Sequence, residues 1–142
     1  MSVQAVLLPV FVQVALTFAL LFWLGPARFR AVRSGTVGEE ATLDDGAWPR
    51  EARQAGNAFR NQFELPVLFY AITAFALITR KADLLFVVLA WVFVLSRIVH
   101  ALIHVTSNEI RLRFPAYLVG AIVLLVMWVL FALAIIFAPI LP

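Results

Sequence analysis

Residues 84–105 read LLFVVLAWVFVLSRIVHALIHV. Apart from Ser96, Arg97, His100 and His104, every side chain in this run is apolar. A helix needs about 20 such residues to cross the hydrocarbon core of a bilayer, and a helix in a soluble core seldom holds so many in unbroken succession. The same run carries an ionisable stripe. Arg97, His100 and His104 continue into Asn108 and Arg111 at spacings of three, four, four and three. At helical periodicity these positions stay within an arc of about 80°. Trp91, Phe93 and Val94 point elsewhere or lie deeper. Ionisable groups inside a membrane are costly and by default mark functional sites.

Three further apolar runs flank this one. Residues 3–24 form the first and stop at Gly25-Pro26. No basic segment precedes this run and it is too long for the core of a cleavable signal, so it reads as a span. The second span is uninterruptedly apolar only over residues 65–79, too few to cross alone. It therefore takes in the polar stretch before it, and a helix starting near Pro49 gives a span over residues 52–79. Arg80-Lys81-Ala82-Asp83 is a tight turn into the third span. The fourth covers residues 115–138, opening on Pro115, and Pro139 and Pro142 close the chain. Residues 25–48 carry Gly35, Gly38 and Gly46 among mixed charges and read as a loop. In that loop Glu39, Glu40, Asp44 and Asp45 read as a solvated face. The expected fold is all-α: one integral membrane four-helix bundle over residues 1–142, with no soluble domain appended and any activity inside the bundle.

Composition agrees. The chain is 64% hydrophobic and 13% charged, against about half and a quarter in soluble proteins. It has no cysteine, which removes disulfides, thiolate metal sites and a protein thiol nucleophile. The net charge of +3 gathers at span boundaries and points to a membrane rather than to nucleic acid. Arg28, Arg30, Arg33, Arg50, Arg53, Arg60, Arg111 and Arg113 fall on the side of the first and third connections, and only Arg80 and Lys81 on the other. The excess of Lys and Arg on cytoplasmic loops predicts that the long loop faces the cytoplasm and both termini face away. In a bacterium the membrane would be the inner one.

The second span carries a polar stripe of its own. Arg50, Arg53, Asn57, Arg60, Asn61 and Glu64 lie within about 100°, with Ala52, Ala55, Phe59 and Phe63 opposite. Lipid cannot solvate such a stripe, so the two stripes face one another or a neighbouring subunit. One reading is purely structural, with Glu64 paired to Arg60 or Arg97 and the polar groups binding helix to helix. The other is a ligand site. Arg53, Arg60, Arg97, Arg111 and Arg113 outnumber Glu64 and Glu109, and an excess of guanidinium in a partly dry cleft suits an anion. His100 and His104 lack a third ligand at a familiar metal spacing, so no metal is expected. Gln13 and Thr17 read as helix-contact residues. Phosphate loops, dinucleotide fingerprints and hydrolase elbows are absent from the sequence. So is an inverted repeat, which argues against a transporter, although Pro66 can kink the second span.

Residues 57–66, Asn-Ala-Phe-Arg-Asn-Gln-Phe-Glu-Leu-Pro, resemble the second-helix signature of the MAPEG family, the membrane-associated proteins in eicosanoid and glutathione metabolism. Ser96-Arg-Ile-Val-His100 resembles the family's Arg-x-x-His element, and Arg113 with Tyr117 resembles a third element at the start of the fourth helix. The resemblance implies a homotrimer of four-helix subunits with glutathione as co-substrate, held between adjacent subunits near the cytoplasmic face. It matches Arg60, Asn61 and Glu64, and Arg97 and His100, to glutathione ligands. Arg113 and Tyr117 match residues beside the glutathione sulfur and are the catalytic candidates. Arg53, Asn57, His104 and Arg111 join the cofactor-binding candidates from the two stripes, and Arg28 or Arg30 falls near a family Arg at the end of the first helix. The implied activity is a glutathione-dependent transferase or peroxidase acting on hydrophobic electrophiles or peroxides that arrive through the bilayer. The alternative is a non-catalytic binding or structural protein on the same scaffold, holding an anionic lipid or another thiol. Asn57 stands where many members carry Arg, His104 where several carry Tyr, and Gln54 at another basic position. In these respects the chain looks closer to bacterial-type members.

Overall fold

The computed structural model describes residues 1–139, which hold five α-helices: α1 (Val3–Arg33), α2 (Arg50–Arg60), α3 (Leu65–Ile78), α4 (Leu84–Val105) and α5 (Ile110–Ile136). A short 3-10 turn, Asn61–Phe63, links α2 to α3, so that the two form one span. Among the described residues, four helical units are long and apolar enough to cross a membrane.

The first helix does not stop at Gly25-Pro26. It runs on to Arg33. A proline inside a helix removes one backbone hydrogen bond, and packing outweighs that loss here. Leu24, Ala27 and Ala31 are buried at spacings of three and four, and α2 packs beside them with Ala52, Ala55 and Gly56 buried in turn. At 1.5 Å per residue, 31 residues span about 46 Å, well beyond a hydrocarbon core of about 30 Å. The last turns of α1, with Arg28, Arg30 and Arg33, therefore project past the apolar layer, and the loop is shorter than residues 25–48.

The second span breaks between α2 and α3. Glu64 adopts φ −97°, ψ −108°, outside the helical region. Pro66 explains the break, because it lacks the N–H that would bond the Gln62 carbonyl and its ring crowds that carbonyl. It also disfavours helical geometry at the residue before it. The fourth span starts at Ile110, ahead of Pro115, because Asn108 turns the chain at φ 52° and Glu109 then accepts from Arg113 N at 2.9 Å. It ends at Ile136 rather than at residue 138, and Pro142 lies outside the described residues. The α3–α4 turn is a Schellman closure. Lys81 N bonds Ala76 O at 2.8 Å and Arg80 N bonds Leu77 O at 3.2 Å, with Arg80 at φ 57°.

In the bundle α4 packs against α1, α2 and α5, while α3 packs against α1 and α5. The core lies where they converge, on Val6, Phe69, Ile72, Phe93, Leu124 and Met127. Phe69 and Phe93 stack at 4.8 Å and join α3 to α4 through their side chains. The two helices α4 and α5 pack tightly at Gly120, where a Cβ would sit 2.7 Å from Ser96 Oγ. At Gly56 a Cβ would meet its nearest neighbour at 3.6 Å, an ordinary contact.

Replacing Gly120 with Val should therefore force α4 and α5 apart at a cost of about 1–3 kcal/mol, and Gly56→Ala should cost nothing measurable. Thermal unfolding of the detergent-solubilised protein separates the two outcomes.

Candidate functional site

The two polar stripes meet where α2 gives way to α3 beside the C-terminal half of α4. Arg97, fully buried, sits at the centre. Its Nη2 donates to Asn61 Oδ1, and the Tyr117 ring lies 5.7 Å from the guanidinium carbon. Arg97 Nε and Nη1 have no partner among the described residues. Asn61 faces both ways, since its Nδ2 also donates to Glu64 Oε2 at 2.6 Å. It can do so because it lies at the start of the 3-10 turn, between the end of α2 and the Pro66 break.

Below Arg97, His100 and His104 stand one turn apart with rings 5.5 Å apart, and Tyr117 of α5 lies 5.6 Å from His100. Both histidines are buried, and the Nδ1 of each has no partner among the described residues. Arg113 Nη1 donates to Asn108 Oδ1. Two hollows adjoin these groups. One, of about 200 Å³, lies between Asn61, His100, His104, Arg113 and Tyr117, with Ile110 and Phe114 as its apolar wall. The other, of about 310 Å³, is lined by Asn57, Arg60, Asn61, Glu64, His104 and Arg113. Asn61, His104 and Arg113 border both.

Of the candidates named from the sequence, Asn57, Arg60, Asn61, Glu64, Arg97, His100, His104, Arg113 and Tyr117 thus come together. Arg53 and Arg111 do not. Arg53 is exposed and reaches back to the loop, with Nη1 3.5 Å from Gly46 O. Arg111 is also exposed and borders neither hollow. Helical spacing from Arg97 to Arg111 assumed a continuous helix, but α4 ends at Val105 and the Asn108 turn destroys the register.

Charge pairing also differs from expectation. Glu64 forms no ion pair with Arg60 or Arg97. Instead Asp45, expected on a solvated loop face, bridges two cations, with Oδ2 2.7 Å from Arg60 Nη2 and Oδ1 3.4 Å from Arg28 Nη2. Arg28 lies over the Trp48 ring at 4.7 Å, and Arg30 pairs with Glu51 at 2.6 Å. Which cation Asp45 meets depends on how the loop folds, and no local pattern in the sequence points to it. Among the described residues Arg97 and Arg113 have no ionic partner.

Neutral contacts fasten the site. Gln54 Nε2 donates to His104 O at 2.6 Å and Thr106 O at 3.0 Å, and so caps the end of α4 with a side chain of α2. Buried Gln13 donates to Gln62 Oε1 at 2.9 Å, and Gln62 donates to Ala58 O at 3.1 Å, tying α1 to the break in the second span. Thr17 bonds back to Gln13 O within α1. The apolar wall of Ile110 and Phe114 escaped the sequence reading because both fall ahead of Pro115, in a stretch read as a link, whereas the helix begins at Ile110.

Four apolar helical units with a basic, partly dry cleft at one end define an integral membrane protein of the helical-bundle class. The chain matches the model of the MAPEG family over residues 6–133 and belongs to that family. No curated protein and no solved structure matches it. Membership places it, in general terms, among membrane proteins related to glutathione or eicosanoid metabolism.

Removing the Asn61 side chain strips Arg97 of its one hydrogen bond. Asn61→Ala should cost about 1–3 kcal/mol, and much less in an Arg97→Met background, because the pair acts as a unit. A double-mutant cycle by thermal unfolding measures both effects.

Proposed function

We propose that this protein is a glutathione-dependent membrane transferase or peroxidase acting on hydrophobic electrophiles or peroxides, and that it works as a homotrimer. The observation that carries the reading is Arg97, a fully buried guanidinium with two nitrogens unpartnered among the described residues. An unsatisfied buried donor is expensive and a buried charge more so. Beside it stand Arg113 and the cleft.

The donor set fits glutathione. Its two carboxylates suit Arg97 and Arg60, with His100, His104 and Asn57 as further polar neighbours, and its ammonium suits Glu64, which Asn61 orients from 2.6 Å. When bound, glutathione supplies a thiol whose thiolate attacks the electrophile. Arg113 provides a cation that favours thiolate over thiol, and Tyr117 offers a hydroxyl donor beside it. Ile110 and Phe114 give an apolar approach for a substrate dissolved in the bilayer.

Trimer formation is supported by the exposure of Asn57, Arg60 and Glu64 along a membrane span. Hydrocarbon cannot satisfy these groups, and a second copy packed on this side would shield them and close the cleft. The orientation expected from Lys and Arg puts the cleft toward the cytoplasm.

One observation favours the non-catalytic alternative. Asp45 already engages Arg60, so one cation of the set is partly answered by the chain itself. Binding and turnover distinguish the two readings. Calorimetry should detect glutathione binding at up to millimolar concentration, with ultraviolet difference absorption reporting thiolate. Arg97→Met and Glu64→Gln should each weaken binding about tenfold, the loss expected for one charge-assisted hydrogen bond, while the assembly stays intact. No binding by the intact assembly would overturn the proposal, and binding without turnover of electrophile or peroxide would leave the alternative.

Orientation has its own test, made clean by the absence of cysteine. A cysteine placed at Gly38 should react with an impermeant thiol reagent only from the cytoplasmic side, and one placed at Ser2 only from the opposite side.

A further inference from the structure

At the far end of the bundle from the basic cleft, α4 and α5 part to leave a slot of about 200 Å³. Leu89, Met127, Phe131 and Ala134 supply apolar walls, and Lys81 and Asp83 stand at its mouth. These two opposite charges, two residues apart, form no ion pair with each other or with any other described residue. The backbone fixes where each residue leaves the turn. Lys81 follows the left-handed Arg80 and bonds Ala76 O through its N–H at 2.8 Å. Asp83 caps α4, its Oδ1 accepting from Phe86 N at 2.8 Å.

An apolar slot between membrane helices suits an acyl chain, and charged side chains at its interfacial end read the head group. A lone cation would favour an anionic lipid. Here a cation and an anion share the mouth, which complements a head group that carries both charges. We propose that this slot binds phosphatidylethanolamine, with an acyl chain between α4 and α5, the phosphate on Lys81 and the primary ammonium on Asp83. Phosphatidylglycerol brings no cation to Asp83 and sets like charges together. Phosphatidylcholine carries a quaternary ammonium with no N–H to donate. The site is separate from the basic cleft and stands whichever function that cleft serves.

Native mass spectrometry of the full chain, offered equimolar dioleoyl phosphatidylethanolamine, phosphatidylglycerol and phosphatidylcholine, tests this. Phosphatidylethanolamine should be retained about two- to fivefold over either competitor, the scale of one exposed ion pair. Lys81→Gln and Asp83→Asn should each erase the preference. Both positions are exposed, and Asn keeps the helix cap, so thermal stability should hold. Ala134→Trp, which fills the slot, should lower retention of all three lipids. Equal retention by the unmodified protein, preference for phosphatidylglycerol, or a preference that survives both charge substitutions would each overturn the assignment.

Discussion

The bond from Arg97 to Asn61 is the constraint around which the cleft is arranged. A guanidinium with no exposure to solvent, on a helix otherwise made for hydrocarbon, must find acceptors in the protein. Asn61 is such an acceptor, and it lies in the 3-10 turn that Pro66 forces on the second span. The break, costly as it is to the helix, sets an amide where it can accept from Arg97 on one side and donate to Glu64 on the other. Two residues of opposite charge are thereby organised through one neutral side chain, without direct contact.

Small residues and neutral hydrogen bonds make this arrangement rigid. Ala58 of α2, Leu20 of α1 and Ala101 of α4 form a second packed cluster beside the cleft. Gln54 seals the carbonyls at the end of α4, and the Gln13–Gln62 bond holds the break against α1. Buried amides of this kind cost little when paired and much when not. The same pairs therefore hold the end of α4 and the turn, the elements that carry His104 and Asn61. At Gly120 the approach of α5 brings Tyr117, one turn earlier, over the same face of α4.

What the sequence revealed depended on whether a residue's neighbours were local. Arg97, His100 and His104 share a continuous helix, and Arg60, Asn61 and Glu64 lie within one short segment, so their convergence could be read from spacing. Arg113 and Tyr117 came from family resemblance, not from periodicity. Arg111 was misplaced because the left-handed Asn108 interrupts the helix on which its register was counted. The extension of α1 beyond Pro26 was hidden because local preference argues for a stop there. Only the tertiary contact of Leu24, Ala27 and Ala31 with α2 overrides it. Asp45 is the clearest case of non-local information. Nothing within a few residues of it indicates Arg28 or Arg60, and a loop acid is ordinarily solvated.

Asp45 also separates the roles that the arginines can play. Its bridge to Arg28 and Arg60 is made between half-exposed side chains. Such pairs contribute at most about 1 kcal/mol each and weaken further with salt. The Asp45 carboxylate therefore holds Arg60 only weakly. Arg97 has no such substitute. Its unpartnered nitrogens are out of reach of bulk water, and among the described residues no carboxylate answers them. The demand for negative charge is thus uneven, weak and already met at Arg60, and unmet at Arg97, which is buried beside Asn61 and Tyr117 and itself lines neither hollow.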